Sequence, residues 1–237
     1  MTINNILFIK DIEEIFNNYY SKVKTNKDHY FKDSLKNYIC CEINNKILLY
    51  LVENIEIAEN IINLEIDKKF IIENYDWKIC LTKENFLFDN PFTLDDIIFM
   101  PEKYILDNIN EKKRINFIKT LIHEYIHISQ RYKSNKWNKY ILENTNWILL
   151  NKKINDSEIN NNFILNPDTY YLNNSFLYNK NDKLYYGRFE YNNKLKITWY
   201  QFLNNSFLKI NEHIHKYEHP YEELAYTLTE NLDKYFK

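Results

Sequence analysis

The sequence predicts an α+β protein with a β-rich N-terminal lobe, a long amphipathic helix, a further β-rich segment and a C-terminal helix. Three observations predict it. Short runs of β-branched and aromatic residues punctuate roughly the first hundred positions. From Glu111 to Tyr132 the pattern turns helical, with Ile115, Ile118, Leu121, Ile122, Tyr125, Ile128 and Tyr132 on one side of the wheel. Pro220 to Phe236 repeats apolar side chains at helical spacing behind a proline, which costs nothing in a first turn.

Taken in order, Asp11 to Lys24 reads as an amphipathic helix carrying Ile12, Ile15, Phe16 and Tyr19. Strands are expected over Tyr38–Ile43, Lys46–Val52, Ile61–Ile66 and Trp77–Leu81, and over Ile97–Met100, which Pro101 stops and which reads as an edge. Asn110 is placed to cap the long helix. Asn138–Asn144 reads as a short helix, and Leu184–Tyr191 with Leu195–Tyr200 as a hairpin turned at Asn192-Asn193. Residues 1–110 then form the N-terminal lobe and 111–237 the lobe that carries the chemistry.

Composition removes several functions. The net charge is −2 and the pI near 6.3, so no basic field is present to hold nucleic acid. The chain has one glycine, Gly187, which excludes a P-loop or a GxGxxG fold as ordinarily built; turns must come from asparagine. Three cysteines, Cys40, Cys41 and Cys80, show no CxxC spacing and suit a reducing compartment. No apolar run approaches the roughly 18 residues of a membrane helix, and the N-terminus lacks a basic signal region. A soluble, intracellular protein without membrane contact is expected.

The chemistry sits at His123-Glu124-Tyr125-Ile126-His127. Residues i and i+4 share a helix face, so both imidazoles can reach one zinc ion. Glu124 is turned about 100° from His123, which suits a general base acting on water rather than a ligand. Asn116, Thr120, His123, His127 and Gln130 form a polar stripe opposite the apolar cluster. A solvated histidine pair is the plain alternative, and the amphipathic setting argues against it.

Zinc needs a third protein ligand. The HExxHxxGxxH pattern is excluded, because Gln130 stands at its glycine and Lys133 at its last histidine. A downstream glutamate on a second helix remains, and Pro220-Tyr221-Glu222-Glu223-Leu224-Ala225 offers two. Tyr221, Leu224, Ala225, Leu228 and Leu232 mark the buried side, so Glu222 at its border is expected to face the histidines and Glu223 the solvent. His213, His215 and His219 are the alternatives. An oxyanion donor is expected at Tyr217, with the same three histidines also near. Asn166-Pro167-Asp168 reads as a turn or a cleft-shaping loop, and Trp137 and Trp147 as core.

Thr120-Leu-Ile-His-Glu-Tyr-Ile-His-Ile-Ser-Gln-Arg131 together with Glu222-Glu-Leu-Ala225 resembles the gluzincins, metallopeptidases with HExxH and a glutamate on a second helix. The wider arrangement, with Asp95–Pro101, Asn166-Pro167-Asp168 and His219-Pro220-Tyr221-Glu222, is similar to uncharacterised metallopeptidase-like proteins of large DNA viruses. The resemblance covers roughly residues 90–237. It implies that His123, His127 and Glu222 bind zinc, that Glu124 is the base, and that the substrate is a peptide or protein. It also implies an edge strand beside the cleft, for which Ile97–Met100 is the candidate, and an insertion that folds back between His127 and Glu222. The competing expectation is an inactive zincin-fold virion or host-interaction protein with a structural zinc.

Overall fold

The computed structural model describes residues 6–10, 12, 14–15, 42–83, 90–150, 154, 159, 163–164, 166, 168–169, 175–191 and 195–236. Its class is α+β. Of the helix expected over Asp11–Lys24, all but Ile12, Glu14 and Ile15 lie outside the described residues, as does most of the strand expected over Tyr38–Ile43; Glu42 and Ile43 are not in a strand.

The elements run β1 (Ile6–Phe8), α1 (Asn45–Glu65), β2 (Trp77–Thr82), β3 (Phe92–Leu94), β4 (Ile97–Pro101), α2 (Glu102–Asn108), α3 (Glu111–Tyr132) and α4 (Ser134–Asn144). They continue with β5 (Trp147–Leu150), β6 (Phe163–Ile164), β7 (Ser175–Lys180), β8 (Lys183–Tyr191), β9 (Leu195–Leu203), β10 (Ser206–Ile210) and α5 (Pro220–Glu230). The expected terminal helix is shorter than its apolar pattern: α5 stops at Glu230 and a 3₁₀ turn covers Asn231–Phe236.

Two expected strands, Lys46–Val52 and Ile61–Ile66, are instead the two ends of α1, whose last residue is Glu65 with Ile66 as its cap. Short isoleucine-rich runs do not by themselves distinguish a strand from a buried helix. Here Ile47, Leu51, Ile55, Ala58 and Ile62 bury one helical stripe, and the Asn44 side chain caps the start by accepting from Ile47 N–H at 2.9 Å.

One sheet has the order β1-β2-β4-β3, parallel except for the β3–β4 pair. Ile97–Met100 therefore lies in an inner strand, and the edge beside it is β3. The larger sheet, in the order β10-β9-β8-β7-β5 with β6 also on β8, is antiparallel and forms the β insertion. Its tight turns are asparagine-built: Asn181-Asp182 and Asn204-Asn205 hold positive φ at both positions, the geometry that matches strand twist in a two-residue hairpin. Gly187 does not have positive φ. Its missing side chain makes room instead, since a Cβ there would lie 2.9 Å from the Trp199 ring and 3.1 Å from Glu218 Cα.

α3 runs through the centre. Asn110 caps it, accepting from Lys113 N–H at 3.0 Å. Phe117, Ile118, Leu121, Ile122, Tyr125 and Ile128 join one core with α1, β2, β4, Trp137, Trp147 and α5. Tyr132, expected on that face, is exposed and donates to Asp96. The C-terminal part of the polar stripe is buried too: His127 and Gln130 are inaccessible where α5 packs on the helix, while Asn116 stays exposed. Among the described residues, no helix is long and apolar enough to cross a membrane.

Candidate metal centre

The site forms where α5 packs on α3, with Ala225 fully buried in α5. His123 and His127, one turn apart, bring their Nε2 atoms to 3.0 Å. Glu222 answers from α5, with Oε2 3.6 Å from His123 Nε2 and Oε1 3.5 Å from His127 Nε2. Donors about 2.0–2.1 Å from a tetrahedral zinc ion stand about 3.3 Å apart, so these spacings are those of three corners around one cation. Among the described residues, His123, His127 and Glu222 are the group of histidine, cysteine or acid side chains that can hold a metal ion.

The hydrogen bonds orient the donors. Gln130 Nε2 donates to the Tyr221 carbonyl at 3.0 Å, which turns Gln130 Oε1 toward His127 Nδ1 at 2.9 Å. An acceptor there requires Nδ1 to carry a proton, leaving the Nε2 lone pair for the cation. The site also attracts positive charge. Burial pushes His127 down, yet the Glu222 and Asp168 carboxylates outweigh it and hold its pKa at about 10. Burial acts to raise Glu222, and the two histidines overcome it, keeping this carboxyl well below the usual range.

Glu124 is 4% exposed, and its Oε2 is buried with no hydrogen-bond partner among the described residues. Burial, reinforced by Asp168 and Glu222, pushes its pKa well up. A cleft of about 690 Å³ opens on it, lined also by Phe92, Tyr104, Phe189, Tyr217 and Tyr226.

Glu223 is not a solvated acid. It is half-buried and accepts from Trp147 Nε1 at 2.6 Å, while His215 Nε2 lies 2.9 Å from the same oxygen. That contact takes His215 out of the donor group. His219 caps α5, its Nδ1 accepting from Tyr221 N–H, and His213 is exposed. Tyr217 reaches the cleft but stacks on Tyr226, with ring centroids 5.1 Å apart, and it is Tyr226 that packs on His123 at 4.5 Å. The sequence reading missed Tyr226. Its signal is spacing, since it lies one turn after Glu222 on the same face.

The edge strand is closed rather than open. Thr93 N–H donates to Asp168 Oδ1 at 2.8 Å, and the Thr93 carbonyl accepts from Arg131 Nη2 at 3.0 Å. Arg131 Nη1 also donates to the Asp95 carbonyl at 2.8 Å. Asn166 and Asp168 thus shape the cleft. Trp137 and Trp147 are buried core residues, as expected.

No family model matches this chain. No curated protein and no solved structure matches it either.

Proposed function

We propose that the protein is a zinc-dependent peptidase of gluzincin type, with His123, His127 and Glu222 as ligands. The observation that carries this reading is Glu124, with a buried carboxylate oxygen that has no hydrogen-bond partner among the described residues, beside three converging donors at the wall of an open cleft. A purely structural metal site has no use for such a group. Zinc held by these residues would supply Lewis-acid polarisation of a carbonyl and a more acidic water.

The chain's own residues do the rest. Glu124 takes the proton of the attacking water and returns it to the leaving amine. Burial, followed by Glu222, raises the Tyr226 phenol, so it stays protonated and able to donate to the carbonyl oxygen as charge develops there. Gln130 keeps His127 in the tautomer that binds metal. The peptide does not extend β3 at Thr93, whose backbone groups Asp168 and Arg131 already occupy.

The test is digestion of a mixed peptide library by the wild type, by Glu124→Gln and by chelator-treated wild type. Cleavage by the untreated wild type alone, restored by zinc after chelation, supports the proposal. Equal cleavage by Glu124→Gln, or no cleavage by a zinc-loaded wild type, overturns it.

A further inference from the structure

We propose that the loop around Asn166 and Asp168 is a clasp that sets the orientation of the third metal donor, with Asn166 as the positioning residue. The inference rests on the metal reading above. Asn166 comes from the β insertion, 56 positions from Glu222, yet its Nδ2 donates to Glu222 Oε1 at 2.8 Å. That oxygen is the one facing His127 Nε2. The same amide nitrogen donates to Glu218 Oε1 at 3.0 Å.

Glu218, just before the cap of α5, and Glu222, in its first turn, are both nearly inaccessible and are reached by the same amide. An amide with two N–H groups can serve one to each acid while adding no charge that would compete with a cation. Without it, Glu218 and Glu222 lose the donor they share.

The loop is tied at its other end. Asp168 N–H donates to Asn166 Oδ1 at 2.9 Å, closing a local turn. Asp168 Oδ1 accepts from Thr93 N–H at 2.8 Å and from the Thr93 hydroxyl at 2.6 Å. Arg131 Nη2 lies 3.8 Å from the same carboxylate oxygen and donates to the Asp168 carbonyl at 3.4 Å. One short loop therefore joins α5 at Glu222, the edge strand at Thr93 and the end of α3 at Arg131, one turn beyond His127.

The experiment uses the full chain with Asn166→Ser and Asp168→Ala. Serine can still accept from Asp168 N–H and keep the turn, but is too short to reach Glu222. Zinc affinity is read by competition with a chromophoric chelator, and coordination by the visible absorption of the cobalt(II)-loaded protein. Asn166→Ser is expected to weaken zinc by about 10- to 100-fold and to change the cobalt spectrum, with the circular dichroism of the metal-free protein unchanged. Asp168→Ala is expected to move both readouts the same way by a smaller factor. Wild-type affinity and spectrum in a folded Asn166→Ser protein would overturn the clasp and leave the metal reading intact; if that variant does not fold, Asp168→Ala decides in the same way. A wild type that binds no zinc would instead remove the metal reading.

Discussion

Gln130 Oε1 stands 2.9 Å from His127 Nδ1, and the same amide reaches across to the Tyr221 carbonyl on α5. One side chain thus fixes the tautomer of a candidate ligand and joins the two helices that carry the donors. Gln130→Ala would leave a buried Nδ1–H without an acceptor and let the ring turn or change tautomer. Zinc affinity is expected to fall by about 10- to 100-fold. Chelator competition on folded protein checks it, and unchanged affinity would show that Gln130 does not orient the ring.

The adjacent acids of α5 separate ligand from brace. Glu222→Ala is expected to lose the metal. Glu223→Ala is expected to keep it but to destabilise the fold by about 1–3 kcal/mol, since Trp147 Nε1 and His215 lose their acceptor. Metal stoichiometry by mass spectrometry and urea unfolding read the two effects. The opposite pattern would reverse the assignment.

Metal binding should depend on pH with a definite sign. In the metal-free protein His127 keeps its second proton up to about pH 10, and that proton must leave Nε2 before a cation can bind. Affinity is therefore expected to rise about tenfold per pH unit across neutrality, with about one proton released. Calorimetry in buffers of different ionisation enthalpy counts the proton, and a release of zero contradicts the charge balance argued here. Without metal the same proton contributes stability that is full below about pH 6.5 and lost as pH rises toward about 10.

Gly187→Ala tests close packing rather than backbone freedom. The added Cβ meets the Trp199 ring at 2.9 Å and Glu218 Cα at 3.1 Å, so the strand and the segment leading into α5 must separate. A loss of about 1–3 kcal/mol is expected in urea unfolding. A change below about 0.5 kcal/mol would mean that the neighbours yield freely.

Local geometry is what the sequence determined by itself. The helical period of Glu111–Tyr132, its Asn110 cap, the i,i+4 placement of His123 and His127, and the asparagine turns all depend on residues a few positions apart, where the backbone repeat dictates the outcome. The phase of α5 likewise turned Glu222 inward, because Tyr221, Leu224 and Ala225 had to be buried. Tertiary structure decided the rest. Lys46–Val52 and Ile61–Ile66 became helix because their isoleucines pack on α3, a preference that no short run carries. Gly187 was needed for the approach of Glu218, and Glu223 found Trp147 and His215. Asn166 and Asp168 act through partners tens of residues away, brought within hydrogen-bonding distance only when the β insertion folds back, and Arg131 meets Thr93 only where α3 packs beside β3.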